Sequence, residues 1–107
     1  MLYDPKWHEP QIVNSVRSTL VRARALIEDD GNWCQHRMRD GHRMCAAAAI
    51  QVASDYGKQA ILDAANHLAT FTNSSVIGIT YYNDNHTHAE VLALFDRAIE
   101  AAVVRRL

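Results

Sequence analysis

The sequence predicts an all-α (mostly) fold: a compact domain of four main helices, with a small β-hairpin or ordered loop after the first. Three observations carry that prediction. Apolar residues recur every three or four positions along much of the chain. Alanine, the best helix former, is abundant from Ala46 onward. The last third opens on a capping-box pattern, Thr87-His88-Ala89-Glu90, followed by a long apolar stripe.

The elements follow in order. Residues 1–10 read as an irregular docking arm, punctuated by Pro5 and Pro10 and carrying the apolar anchors Leu2, Tyr3 and Trp7. Gln11 to about Asp29 is helical in spacing, with Ile12, Val16, Leu20, Ala23 and Ile27 on one face. Pro10 marks its start and Asp30-Gly31-Asn32 its stop. Residues 32–45 lose the stripe, and Asp40-Gly41 between two short mixed segments signals a hairpin turn. In that register Arg39 faces His42 and His36 faces Cys45.

Ala46 to Tyr56 is the second helix, with Gly57 as its stop, and Lys58 to about Thr72 is the third. Val76 to Tyr82 is β-branched and aromatic, which suits a short buried strand or an apolar connector; Asn83-Asp84-Asn85 is then a turn. The final helix starts at the Thr87 cap and buries Val91, Leu94, Phe95, Ala98, Ile99 and Ala102. So much alanine implies close helix approach and little room for an internal ligand cavity.

The chain is 107 residues long, enough for one core and too short for two, and no repeat or linker divides it, so 1–107 reads as a single domain. No apolar run approaches the ~20 residues that span a bilayer. Asp4, Lys6, His8 and Glu9 interrupt the stretch where a signal peptide's apolar region would lie. The expected location is therefore the cytoplasm, with free thiols at Cys34 and Cys45 and no membrane partner. The net charge of -1 supplies no field to attract nucleic acid.

Two clusters hold the residues that could do chemistry. Cys34, His36, His42 and Cys45 have the donor types of a zinc site, but the spacing matches no common finger or ribbon. Alternation leaves Cys34, His36 and Cys45 on one face and His42 on the other, so no cofactor is favoured, and zinc on those three residues is the alternative. Cys45 also sits where an Ala-rich helix begins, a position that lowers a thiol pKa; with His36 or His86 and Asp84 it would make a thiol- or metal-dependent enzyme. Arg37, Arg39 and Arg43 form a local basic loop over 36–43 that could contact phosphate, with Trp33 as the nearby stacking platform. Tyr82, Asn83, Asp84, His86 and His88 could line a cleft at a helix N-terminus, although turn formation and capping account for most of them.

The order of these motifs is that of a known group. Trp33-Cys34-Gln35, Asp40-Gly41, Cys45-Ala46-Ala47-Ala48-Ala49-Ile50, then Tyr82-Asn83-Asp84 and Thr87-His88-Ala89-Glu90-Val91-Leu92 resemble a family of small uncharacterised bacterial and phage proteins, a domain of unknown function. The resemblance covers about residues 15 to 102, with Ala48 where the family pattern usually has Gly. It implies no reaction or cofactor, but does imply that Trp33, Cys45, Asn83 and Asp84 share one structural or functional element.

The leading expectation is a small non-enzymatic protein-binding or regulatory module. Ala101, Ala102, Val103, Val104 and Leu107 are apolar on more than one helical face, which suits a homodimer formed through the C-terminal helix. The thiol- or metal-dependent enzyme comes second, and the nucleic-acid or phosphate binder third.

Overall fold

Ser15 opens the first helix. In the computed structural model, which describes residues 15–73 and 77–107, the Ser15 hydroxyl accepts from the Ser18 N–H at 3.1 Å, and α1 runs Val16–Leu26. A serine side chain at this position satisfies a first-turn amide; the expected start of the helix over 10–14 lies outside the described residues. The arm over 1–10 lies outside the described residues. After α1, a 3-10 turn at Asp30–Asn32 leads into the hairpin.

β1 (Arg39–Asp40) and β2 (Arg43–Met44) pair antiparallel, with Arg39 opposite Met44 and Asp40 opposite Arg43. The turn is therefore Gly41-His42, one residue later than the Asp40-Gly41 turn read from the sequence. Of the two residues in the expected turn, only Gly41 has a positive φ, at 65°. The observed register sets the Asp40 carboxylate directly against the Arg43 guanidinium. It also brings Met38, not His36, opposite Cys45, whose N–H donates to the Met38 carbonyl at 2.9 Å.

α2 runs Ala46–Ala53 and α3 Lys58–Ala69, the latter extended by a 3-10 turn at Thr70–Thr72. α2 stops three residues short of Tyr56 because Asp55 and Tyr56 both take left-handed conformations, at φ 55° and 59°.

The largest departure comes next. Ile77–Asn85 is a helix, α4, where the sequence reads as a strand or connector followed by a turn. The described residues thus hold five α-helices rather than four. β-Branched composition is a weak vote, and here packing overrules it: Ile79 and Asn83, four residues apart, are both fully buried on one face. α5, His88–Arg105, begins with both halves of the capping box in place.

α1 is the central helix, packed on α2, α3 and α5. It runs antiparallel to α5, since Ile27 meets His88 at one end while Arg24 pairs with Asp96 further along. Leu20, Ala23, Ile27, Ile50, Leu68, Ile79, Leu94 and Phe95 fill the core. Buried alanines at 46, 48, 49, 64, 65, 69 and 98 let the backbones approach closely. No helix among the described residues is long and apolar enough to cross a membrane.

Candidate functional site

The residues singled out at 33–36 and 82–84 meet, and Asn83 is the centre of the junction. It is fully buried, and every hydrogen-bonding position of its amide is used. Its Oδ1 accepts from the Trp33 indole N–H at 2.8 Å and from the Ala46 N–H at 3.0 Å. Its Nδ2 donates to the Cys34 carbonyl at 3.0 Å and to Asp84 Oδ1 at 3.3 Å.

Gln35 adds a second stitch. Its Nε2 donates to the carbonyls of Asn83 at 3.1 Å and His86 at 2.9 Å, so a side chain 48 to 51 residues away caps the C-terminus of α4. Asp84 Oδ1 also accepts from the His36 N–H at 2.7 Å, holding that residue at φ 68°. Trp33, Asn83, Asp84 and the Cys45–Ala46 helix start are thus one hydrogen-bonded unit.

Imidazoles flank this unit. The His86 ring stacks on Tyr82, with centroids 3.6 Å apart, and its Nδ1 donates to the Tyr82 carbonyl at 2.9 Å. His88 lies 5.1 Å from Trp33; its Nε2 donates to the Ile27 carbonyl at 2.6 Å, and its Nδ1 faces Asp30 at 3.5 Å. Between them opens a groove of about 520 Å³ bordered by Asp30, Trp33, Gln35, Asp84, His86 and Glu90. The Thr87 backbone N–H holds the Glu90 carboxyl below its usual range, so the groove carries a charged acid at neutral pH. A second groove, of about 370 Å³, lies beside Cys34, His36, Asp40 and Arg43.

The thiols do not behave as the sequence suggests. Cys45 is the N-cap of α2, its sulfur accepting from the Ala48 N–H at 3.5 Å. Backbone N–H groups there pull its pKa down, yet burial outweighs them and the thiol is pushed up. The Cys45 sulfur meets the Ala48 N–H and the Met38 sulfur rather than an imidazole, and His86 is turned to Tyr82. The trio Cys45, His86 and Asp84 is therefore not assembled as a nucleophile with its base. Cys34 is pushed up as well, by burial first and then by Cys45 and Asp40. Both cysteines are free.

Among the described residues, no three His, Cys, Asp or Glu side chains form a group able to hold a metal ion, so Cys34, His36 and Cys45 are not gathered as a zinc site. The one-residue shift of the hairpin is the reason: it puts Met38 where the sequence reading put His36. The basic loop is offset only in part, by a single acid. Arg43 and Arg37 both pair with Asp40, the latter at 4.0 Å, while Arg39 donates to the Tyr56 hydroxyl at 3.2 Å.

The sequence reading names Gln35 only as part of the Trp33-Cys34-Gln35 motif and gives neither it nor Met38 a role. A glutamine two residues after a tryptophan carries no local signal of a cap, and a lone methionine reads as packing.

Compared with known proteins, the chain matches over residues 12–101 the model of DUF6197, a family of unknown function. No curated protein and no solved structure matches it.

Proposed function

The chain belongs to DUF6197, and from its own geometry we propose that it is a non-catalytic protein-binding module that self-associates through the last turns of α5. One observation carries the reading. Beyond the buried Ala102, Val103 is 53 % exposed, Val104 78 % and Leu107 39 %, three large apolar side chains at one end of the molecule. Such clusters are unfavourable in water and favourable against a matching surface. A two-fold dimer brings the same patch of both copies together. The working compartment is a reducing one, the cytoplasm, where the free Cys34 and Cys45 thiols persist.

The polar junction supports the reading from the other side. The amide of Asn83 and the side chains of Gln35 and Asp84 are engaged in holding the 33–36 segment to α4.

Native mass spectrometry of the full chain tests this. A dimer is expected, and Val104→Asp should shift it to monomer while leaving the helical signal unchanged. A wild-type chain that stays monomeric at high micromolar concentration removes the proposal's basis.

A further inference from the structure

We propose that Cys34, Met38 and Cys45 form a low-coordinate, all-sulfur site for a soft monovalent cation, Cu(I). The three residues are tied around one point of the backbone. The Cys45 N–H donates to the Met38 carbonyl at 2.9 Å, and the Cys34 sulfur lies 4.0 Å from that same carbonyl oxygen. The Cys34 N–H in turn donates to Met44, Cys45's neighbour, at 3.1 Å. The Cys45 and Met38 sulfurs are 3.6 Å apart, a separation that two ligands of one copper ion share.

Donor chemistry selects the ion. Thiolate and thioether sulfurs favour Cu(I) over harder divalent ions. Zinc completes its shell with four ligands, and no third His, Cys, Asp or Glu among the described residues joins these cysteines. Cu(I) is satisfied by two or three sulfurs.

Binding at the two thiols is a proton-releasing step. When both thiols bind, each S–H bond breaks and its proton leaves to solvent, two thiolate S–Cu bonds form, and the Met38 thioether donates a lone pair to make a third; copper stays in the +1 state. The resulting bis-thiolate complex carries one negative charge. The N-terminus of α2 sits at Cys45, and the Arg43 and Arg37 guanidiniums oppose, without outweighing, the burial and the Asp40 charge that push the Cys34 thiol up. Access is open on two sides: Cys34 borders the 370 Å³ groove, and Met38 is 40 % exposed. This site is separate from the α5 surface and stands whether or not the chain dimerises.

The test is an anaerobic titration of the reduced full chain with Cu(I) buffered by bicinchoninate. The expected result is one copper per chain, a near-ultraviolet thiolate-to-copper absorption, and an affinity that rises with pH as protons are released. Changes one shell out from a metal typically cost 10–100-fold, so loss of a ligand in Cys34→Ser should weaken binding by more than about 100-fold. Met38→Leu, a volume-conserving change at a part-exposed position, should weaken it by about tenfold or more while leaving the fold intact. Two coppers per chain, no competition with the chelator, or an unchanged affinity in Met38→Leu would overturn the site. The Met38 variant decides the matter even if Cys34→Ser fails to fold.

Discussion

Asn83 is the residue on which the junction depends most. Replacing it with alanine leaves the Trp33 indole N–H, the Ala46 N–H and the Cys34 carbonyl without their partner. Each buried orphan costs about 1–3 kcal/mol, so Asn83→Ala should destabilise the protein by at least about 3 kcal/mol in urea unfolding. Asn83→Asp keeps the acceptor but replaces the donor with a buried carboxylate beside the half-buried Asp84, and should be no better tolerated. A variant that unfolds within a few tenths of a kcal/mol of wild type would show that the network is not what holds the segment.

The thiols give a second expectation at this scale. In the native state both hold their protons to higher pH than in the unfolded chain. Above the ordinary thiol pKa, about 8.5, the unfolded chain loses those protons while the native state keeps them. Their contribution to stability is thus fully present below that pH and is lost as pH rises through the raised native values. Cys45 should also react with iodoacetamide more slowly than free cysteine at neutral pH. A faster reaction would restore the enzymatic reading.

At the scale of elements, the chain divides into what local chemistry dictates and what distant partners impose. The start of α5 was legible because Thr87 and Glu90 satisfy each other's backbone N–H groups within one turn. Thr87→Ala should cost about 1 kcal/mol, and Glu90→Gln should leave part of the box in place, measured by thermal unfolding. α4 was not legible for the opposite reason. Its C-terminal cap and the partners of its buried Asn83 are supplied by Gln35, Trp33 and the N-terminus of α2, none of which lies near it in sequence. The hairpin was half legible: Gly41 identified the turn, but the pairing of Asp40 with Arg43 set the register one residue away from that inferred from Asp-Gly alone. That single step exchanged His36 for Met38 opposite Cys45, and with it nitrogen for sulfur in the candidate ligand set.

The whole molecule is organised around α1, with the polar junction at the α5 N-terminal end and the exposed valines at the other end of α5. The apolar stripe of α5 could be read directly, including its overrun past Ala102, because helical periodicity needs no knowledge of tertiary partners. What the stripe meets could not. At this scale the prediction is one of assembly. Val103→Asp and Val104→Asp should each lower the apparent mass toward 12.0 kDa in light scattering. A charge placed at Tyr81, which is 70 % exposed on α4, should have no such effect. Equal behaviour of all three would move the interface away from α5.

The stitch between Gln35 and the end of α4 also bears on how the chain reaches its structure. A nine-residue helix is shorter than the ~12–15 residues that hold together alone in water. Its cap arrives only when a loop of nearly half the chain has closed, so the entropy of that closure precedes the stabilisation. α4 and the 33–36 segment should therefore gain amide-exchange protection in the same kinetic phase, after α1 and α5 have docked, and should lose it together when the protein opens.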